Sequence, residues 1–286
     1  MQIPHTYLLV GHVTKDLLPD NSFTTGGTVT YSSVVVKNLG WTPVIVTVAA
    51  ADFTPPAYLA NVEWRILPSP ETLTFRNEYD AQGNRIQTIG PLARPINPED
   101  IPSDCRQAPL VHLCPLSPRM AASIADVFPE SLLVATPQGW MRRWDEQGIV
   151  SRGSWDSAAE ILPKLQAAVI SLEDIEGDWT IAEQWASQIE TLIVTLGKKG
   201  AAILHNGQKI IIPPRPARPV DLTGAGDVFA AAFFIRLHET GNLQESVYFA
   251  NITASMAIER PGGPQSAPQR AEVEAYVVQH PLEPSI

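Results

Sequence analysis

The chain has 286 residues, of which 44% are hydrophobic and 17% are charged, so it can bury a large core and is neither disordered nor fibrous. Its formal net charge of −10 argues against a nucleic acid or an anionic membrane as a partner, because the field of the protein repels both. It has two cysteines and no run of about 18 apolar residues, which argues against a disulfide scaffold, a zinc site and a membrane span, and favours a cytoplasmic location.

Short β-branched segments alternate with helix-period segments along most of the chain, which is the pattern of a parallel sheet covered by helices on both faces. The predicted strands lie at residues 6–13, 42–50, 109–116, 131–137, 167–172 and 191–197. The predicted helices lie at residues 29–39, 118–127, 157–166 and 180–189, and the strong helix former VFAAAFFIRLHET ends before Gly241.

Residues 62–90 break this alternation, because they have the pattern of extended strands with a polar turn at residues 81–84 and no helix between them. We therefore predict one α/β domain over residues 1–286 with a small antiparallel appendage. The appendage is formed mainly by residues 62–90, with part of residues 12–26. Appendages beside the carboxyl ends of a parallel sheet often act as lids over a site.

The segment DLTGAGD places Asp221 and Asp227 on either side of a glycine run that opens the last of these helices. Free N–H groups at a helix start form an anion pocket, which the helix dipole reinforces. An aspartate there can be a simple cap, but beside an anion pocket it can also accept a hydroxyl proton as that oxygen attacks phosphorus. Neither a Rossmann fingerprint nor a Walker A motif occurs in the sequence, so any phosphate-binding motif in this chain belongs to another class.

The DLTGAGD segment resembles the C-terminal signature of the PfkB, or ribokinase-like, carbohydrate kinases, whose usual form is D-T-x-G-A-G-D. Other parts of the chain are similar to further family motifs in the family's order, and together they cover nearly all of it. These parts are GHVTKD, TTGG, IVTLGKKGAAIL and ANITASMAIERPGGPQSAP. The segments TFRNEYDAQGNRIQTI and TPQGWMRRW are closer to the inositol-kinase-like branch than to ribokinase.

The resemblance implies a three-layer α/β/α ribokinase-like fold with a central, mostly parallel sheet and a small β-lid. It implies an ATP-dependent kinase for a hydroxyl of a small sugar or cyclitol, with ATP, Mg²⁺ and, at a separate site, K⁺ as cofactors. Asp227 would be the catalytic base, and the N–H groups of Gly224, Ala225 and Gly226 would form the anion hole.

The resemblance also implies sets of binding residues. The set that would hold the substrate comprises Asp16, Gly26, Gly27, Tyr31, Asn77, Arg85, Gln138 and Arg142. The set that would line the nucleotide comprises Thr195, Gly197, Gly200 and Asn251. The set similar to the family's potassium ligands comprises Asp221, Thr223, Ala257, Gly262 and Ser266.

Two positions depart from the family pattern. Tyr31 stands where sugar kinases often have an asparagine that contacts the sugar, which weighs against a ribose-type pocket. The family's N-x-x-E motif, which helps to place magnesium through water, is replaced by Ser171 to Asp174. Asp174 is then the candidate for that role.

Several alternatives stay open at this point. Alternating polar residues on the lid can form a solvated face, and QGWMRRW is either a loop that contacts substrate or a surface turn. The chain can also be a nucleoside or vitamin-precursor kinase, with stacking groups from Phe23, Tyr31 and Phe75, or a binding protein without turnover. The predicted partners are a small polyhydroxylated substrate and ATP, and the chain is a monomer or a homodimer paired through its lid.

Overall fold

The structure is a computed structural model that describes residues 5–79 and 85–282, so the turn predicted at residues 81–84 lies outside the described residues. The strands in the described part are β1 (Thr6–Gly11), β2 (Thr14–Leu17), β3 (Phe23–Gly26), β4 (Thr42–Ala49), β5 (Glu63–Pro68), β6 (Leu73–Tyr79), β7 (Arg85–Ile89), β8 (Leu110–Cys114), β9 (Leu132–Ala135), β10 (Arg142–Trp144), β11 (Val150–Arg152), β12 (Ala167–Ser171), β13 (Thr191–Thr195), β14 (Ala201–His205) and β15 (Gln208–Ile212).

The α-helices in the same part are α1 (Thr28–Asn38), α2 (Ala158–Ile161), α3 (Trp179–Ala186), α4 (Ala225–Thr240), α5 (Leu243–Ile258) and α6 (Arg270–Gln279). Short 3₁₀ helices lie at Ala57–Leu59, Pro98–Asp100, Ser103–Cys105, Ala122–Val127, Pro137–Met141, Leu162–Lys164, Gly197–Lys199 and Gly263–Ser266. Among the described helices, none combines the length and the apolar character that a membrane crossing requires.

One large sheet has the strand order β15-β14-β13-β12-β9-β8-β1-β4-β5. All neighbours from β5 to β13 are parallel, and the pairings of β14 with β13 and with β15 at one edge are antiparallel. The six strands expected from the β-branched segments all lie in this sheet. The predicted central, mostly parallel sheet is therefore confirmed.

Two apolar layers cover the two faces of the large sheet. In β1, Leu8 and Val10 pack into the layer that contains Trp185 of α3, whereas Tyr7 and Leu9 pack into the layer that contains α1, α4 and α5. This division follows from the alternation of side chains along a strand. The predicted three-layer α/β/α architecture is confirmed.

Two predicted helices are shorter than their pattern indicated. The helix predicted at residues 118–127 is only the 3₁₀ helix Ala122–Val127, and the helix predicted at residues 157–166 divides into α2 and the 3₁₀ helix Leu162–Lys164. Pro163 accounts for the second division, since its ring removes a backbone N–H and clashes with the preceding turn. Helices α1 and α3 correspond to the other two predictions.

A second sheet, called the small sheet, has the order β3-β2-β6-β7. It contains most of the predicted appendage, although β2 and β6 pair in parallel. Residues 63–68 are an error in that prediction, because β5 pairs with β4 at the edge of the large sheet. An edge strand is only partly covered, so its alternating exposure resembles that of a surface hairpin.

Candidate active site

The carboxyl ends of the parallel strands carry most of the predicted site residues, as is usual for open α/β sheets. The small sheet follows β1, the 3₁₀ helix Pro137–Met141 follows β9, and the segment that contains Asp174 follows β12. The glycine turn at Gly197–Lys199 follows β13. Segments far apart in the sequence therefore meet at one edge of the sheet.

Helix α4 begins at the predicted glycine run. Its N-cap, Gly224, has φ 76°, a left-handed conformation that favours glycine. The N–H of Val228 donates to the carbonyl oxygen of Gly224 at 2.9 Å. A Cβ added to Gly224 would lie 2.0 Å from Cδ1 of Tyr31, so the tyrosine ring lies directly against this glycine.

The first turn of α4 offers backbone donors of two kinds. The N–H of Ala225 donates to the carbonyl oxygen of Leu222 at 3.2 Å, so this donor is already engaged, and its place in the anion hole stays a prediction. Within residues 5–79 and 85–282, the N–H groups of Gly224, Gly226 and Asp227 have no hydrogen-bond acceptor. These three groups therefore form the anion pocket that the structure offers.

The carboxyl group of Asp227 lies beside this pocket and has a shifted pKa. Desolvation by burial is the main cause and raises the pKa from 3.8 to about 6. A hydrogen bond with the side chain of Thr28 and the charge of Arg142 lower the pKa, while Asp174 and Asp16 raise it. Such a group is ionised at neutral pH and still basic enough to accept a proton. Sequence reasoning missed Thr28, although it directly follows the diglycine.

The predicted trio of Asp16, Gly26 and Gly27 is brought together. Asp16 lies in β2, where Oγ1 of Thr14 donates to its Oδ1 at 2.9 Å. A Cβ added to Gly26 would lie 2.0 Å from Oδ2 of Asp16, so the carboxylate covers a position that only glycine can occupy. Gly27 has φ 89° and is the N-cap of α1.

Tyr31 lies between the predicted substrate residues and the residues predicted as potassium ligands. Burial raises its pKa well above the ordinary value, and the charges of Asp16, Asp227 and Asp221 add to that shift. Its hydroxyl is therefore protonated at neutral pH and can donate a hydrogen bond. The hydroxyl lies 3.6 Å from the place of a Cβ on Gly263.

The segment QGWMRRW contacts the site, which favours the first of its two readings. The guanidinium of Arg142 lies over the ring of Phe75 on the small sheet, 5.0 Å from the ring centroid. Its Nη1 donates to the carbonyl oxygen of Leu116 at 3.0 Å, and its Nη2 donates to Oε1 of Gln138 at 3.2 Å. Arg142 thus lies between the small sheet and the end of β9.

The carboxyl group of Asp174 accepts a hydrogen bond on each of its two oxygens. Nε2 of Gln138 donates to its Oδ1 at 2.7 Å, and the N–H of Ser171 donates to its Oδ2 at 3.1 Å. Burial raises the pKa of Asp174, which disfavours its ionised form. In the part of the chain that the structure describes, no group of three or more His, Cys, Asp or Glu side chains fits a metal ion.

The predicted nucleotide-side glycines form an open turn after β13. Gly197 has φ 55° and Gly200 has φ 88°, both in the left-handed region. A Cβ added to Gly200 would lie 2.2 Å from the carbonyl oxygen of Ile212, whereas one added to Gly197 would meet no atom within 4 Å. Thr195, the last residue of β13, stands at the base of this turn.

Asn251 has backbone partners at the end of β15. Its side chain is buried, and its Nδ2 donates to the carbonyl oxygens of Pro213 at 3.0 Å and Ile212 at 3.4 Å. Its predicted position near the adenine stays a prediction. Asn251 fixes the backbone where β15 ends.

The predicted cation residues lie on two adjoining loops. The N–H groups of Val220 and Asp221 both donate to the carbonyl oxygen of Ile258, at 2.7 and 3.1 Å, which joins the loop before α4 to the end of α5. Oδ1 of Asp221 accepts from the N–H of Thr223 at 2.9 Å. After α5, the backbone N–H of Arg260 donates to the carbonyl oxygen of Ala257 in the last turn of that helix at 3.1 Å, and the N–H of Gln265 donates to the carbonyl oxygen of Gly262 at 3.2 Å. Ser266 is buried. Oxygen groups of these kinds suit a hard cation.

The polar residues of the small sheet divide between its two faces. Asn77 and Gln87 are cross-strand partners, and Nε2 of Gln87 donates to Oδ1 of Asn77 at 2.9 Å. By the alternation of β6 they share the face of Phe75, which contacts Arg142. Arg76 lies on the other face and donates to Asn21 at 2.9 Å. The side chain of Arg85 lies outside the described residues.

Comparison of the sequence with known proteins gives a partial match. Residues 161–270 match the profile of the pfkB family carbohydrate kinases. The chain is similar to a ribokinase of Bacillus subtilis (strain 168), with 35% identity over 119 residues, which are 42% of this chain and 39% of the relative. The matched part thus spans less than half of the length of that relative.

Comparison of the structure covers nearly the whole chain. A pyrophosphate-dependent kinase of the ribokinase family, solved with a pyrophosphate analogue and myo-inositol, matches with a TM-score of 0.78 and 20% identity over 94% of this chain and 99% of the other. A nucleoside kinase of Methanocaldococcus jannaschii matches with a TM-score of 0.74 and 21% identity over 96% and 99%. The chain has the ribokinase-like fold, and its residues 161–270 match the profile of the pfkB family of carbohydrate kinases.

Proposed function

We propose that the chain is an ATP-dependent phosphotransferase that phosphorylates a hydroxyl group of a small sugar or cyclitol. The observation that carries this proposal is the position of Asp227, a carboxyl group with a pKa of about 6 in the first turn of a buried helix. A base and an anion pocket in one turn are the two components that transfer of a phosphoryl group to a hydroxyl requires.

In the proposed reaction, Asp227 takes the proton of the substrate hydroxyl, and that oxygen attacks the terminal phosphorus of the donor. The bond to the leaving ADP breaks as the new O–P bond forms. The N–H groups of Gly226 and Asp227 and the guanidinium of Arg142 stabilise the charge on the transferred group. The N–H of Gly224 supplies a third donor at the same turn.

The substrate would lie between α1 and the small sheet. Asp16 offers a carboxylate to substrate hydroxyl groups, and the paired amides of Asn77 and Gln87 stand on the same face of the small sheet. Tyr31 adds a hydroxyl donor where many sugar kinases have an amide. We propose that the small sheet acts as a lid that keeps water away from the transferred group.

The donor would lie along the open turn at Gly197, with the predicted cation loops behind α4. Mg²⁺ would enter with the phosphates of ATP and neutralise part of their charge. Asp174 is oriented by Gln138 and by the N–H of Ser171, which gives its carboxylate an alternative to its predicted role beside that ion. K⁺ would be held by oxygen groups of Asp221, Thr223, Ala257, Gly262 and Ser266.

A nucleoside substrate is the second candidate, favoured by the nucleoside kinase among the structural matches. The position of Phe23 speaks against it. Phe23 pairs with Leu17 in the small sheet, so it lies on the face opposite to that of Asp16, and it is half exposed. It therefore cannot stack on a base held near Asp16, and Phe75 is already covered by Arg142.

The remaining predictions on partners and location stay predictions. Pairing through the lid would use the outer face of the small sheet, where Phe23 and Ile86 are exposed. Cys105 and Cys114 are both free and buried. The predicted cytoplasmic location is compatible with these two thiols.

The test is a panel of donors and acceptors assayed with purified protein. ATP and pyrophosphate, each with Mg²⁺ and with or without K⁺, would be combined with sugars, inositols and nucleosides, and release of ADP or phosphate would be measured. Asp227→Asn should lower turnover about 10²–10⁴-fold. The matched control is Asp178→Asn, because Asp178 is an exposed N-cap of α3 and asparagine caps equally well.

Turnover with ATP and a sugar or cyclitol would support the proposal. Turnover with pyrophosphate alone would replace ATP as the donor, and turnover with nucleosides alone would favour the second candidate. If no combination gave product, or if Asp227→Asn and Asp178→Asn turned over equally, the proposal would be refuted.

A further inference from the structure

A chain of hydrogen bonds links Asp174 to Arg142, whose positive charge acts on the proposed catalytic base. Asp174 accepts from Gln138 at 2.7 Å, and Gln138 accepts from Arg142 at 3.2 Å. The guanidinium of Arg142 lies over the ring of Phe75, the cross-strand partner of Asp16, and its charge lowers the pKa of the Asp227 carboxyl. Asp174 is thus connected to the site through Gln138 and Arg142.

The far end of this chain is fixed to the backbone. The N–H of Ser171 donates to Oδ2 of Asp174 at 3.1 Å, so the carboxylate is oriented by the end of β12. With one oxygen held there, the other oxygen can only accept, and Gln138 must present its amide nitrogen to it. The amide oxygen of Gln138 is then directed to Arg142.

The segment that carries Gln138 and Arg142 is anchored in the core. Nε1 of Trp140 donates to the carbonyl oxygen of Met120 at 3.1 Å, and its ring stacks on that of Trp155 with centroids 5.1 Å apart. Both tryptophans are buried. The backbone of this segment is therefore fixed. The direction of the Arg142 guanidinium then depends on the hydrogen-bond partners of that side chain.

We infer that Asp174 and Gln138 are positioning residues that hold the guanidinium of Arg142 against the small sheet and beside the anion pocket, and that Asp174 does not place magnesium. The inference rests on the proposed function, because it assigns Arg142 to the charge of the transferred group. In this chain, residues 171–174 stand in place of the N-x-x-E motif that helps to place magnesium, and they orient Arg142 instead. The guanidinium then supplies locally some of the positive charge at the site.

The direction of the hydrogen bonds suggests a rescue experiment. In Asp174→Asn, the N–H of Ser171 still requires the amide oxygen, so the new amide nitrogen faces the amide nitrogen of Gln138. Gln138 must then turn and present its nitrogen to Arg142, which is a contact between two donors. Adding Gln138→Glu provides a carboxylate that can accept from both the new amide nitrogen at position 174 and the guanidinium of Arg142. It also returns the net charge to that of the wild type.

Two readouts separate positioning from metal placement. In the turnover assay, Asp174→Asn should lower kcat about 10–100-fold, the usual scale for loss of an orienting partner, with the Mg²⁺ concentration for half-maximal rate unchanged. The double variant Asp174→Asn/Gln138→Glu should recover most of that loss. Arg142→Met should lower kcat at least as much as Asp174→Asn, and Gln138→Glu should not rescue it.

The second readout needs no turnover and no metal. Sulfate should raise the melting temperature of the wild type by binding at the start of α4. The rise should be smaller in Arg142→Met and Asp174→Asn, and it should return in the double variant. Melting temperatures without sulfate show whether each variant is folded.

Three outcomes would contradict the inference. A higher Mg²⁺ requirement in Asp174→Asn would make Asp174 a magnesium-placing residue. Equal sulfate shifts in wild type and Asp174→Asn, or no recovery in the folded double variant, would remove the link to Arg142. Loss of turnover with every donor and acceptor would refute the proposed function instead, and the sulfate shifts would still decide this inference.

Discussion

Gly224 and Gly226 differ by only two positions, yet the structure predicts opposite responses to the same methyl group. Gly224 has φ 76°, and a Cβ there would lie 2.0 Å from Cδ1 and 2.3 Å from Cε1 of Tyr31. Gly226 has no positive φ, and a Cβ there would meet no atom within 4 Å. Gly224→Ala should therefore destabilise the protein, and Gly226→Ala should not.

The magnitude follows from two contributions. An alanine in the left-handed region costs about 1–2 kcal/mol, and overpacking against a ring costs about 1–3 kcal/mol more. The expected loss is thus about 2–5 kcal/mol, a large part of the roughly 5–15 kcal/mol that stabilises a typical domain. Gly226→Ala should change the free energy of unfolding by less than about 1 kcal/mol, with a small gain from helix propensity.

Urea unfolding of both variants, followed by circular dichroism, measures these differences. The double variant Gly224→Ala/Tyr31→Ala tests the cause, because removal of the ring should abolish the overpacking and leave the backbone strain. It also leaves a space where the ring stood. If Gly224→Ala unfolded within 0.5 kcal/mol of the wild type, or if Gly226→Ala lost as much, the close contact between Tyr31 and the glycine run would be wrong.

Further predictions concern Asp227 and the backbone that surrounds the site. The rate at limiting substrate should fall as pH drops below about 6, where Asp227 becomes protonated, and Thr28→Val should move this limb to higher pH because it removes a hydrogen bond that lowers the pKa. The rise of the Asp227 pKa from 3.8 to about 6 means that stability is lost as pH increases through this range. Asp227→Asn should therefore be more stable to urea than the wild type at pH 8, by about 1–3 kcal/mol. At pH 3.5 this advantage should vanish, and an equal gain at both pH values would contradict the buried carboxylate. Asn251→Ala leaves the carbonyl groups of Ile212 and Pro213 without this partner and should cost about 1–3 kcal/mol of stability in the same urea assay. An unchanged midpoint would contradict a stabilising role of these two hydrogen bonds.

The central layers could be predicted from the sequence because their signals are local. Buried parallel strands have continuous β-branched segments, and all six of the predicted ones are in the large sheet. The start of α4 could also be predicted, because the residues of the DLTGAGD segment that form it are adjacent in the chain. Strand β5 was misassigned, since exposure at the edge of a sheet imitates a surface hairpin.

Some contacts at the site could not be predicted, because residue types do not specify them. Ala225 has the spacing of an anion-hole donor, but its N–H turns to Leu222. Asn251 has the position of a nucleotide contact, but its amide bonds to the chain beside β15. Asp174 has the charge of a metal ligand, and only the partner on each oxygen shows that it orients Gln138. Hydrogen-bond partners distant in sequence decide the cases of Asn251 and Asp174, and a local turn decides that of Ala225.

The most direct test of the account is a comparison of wild type and Asp227→Asn in single-turnover phosphoryl transfer from ATP, with the acceptor that the panel identifies and at pH 8. The account predicts a stable, folded variant that still gives a melting shift with sulfate and transfers the phosphoryl group about 10²–10⁴-fold more slowly. Transfer at the wild-type rate by the folded variant would contradict the assignment of Asp227 as the base.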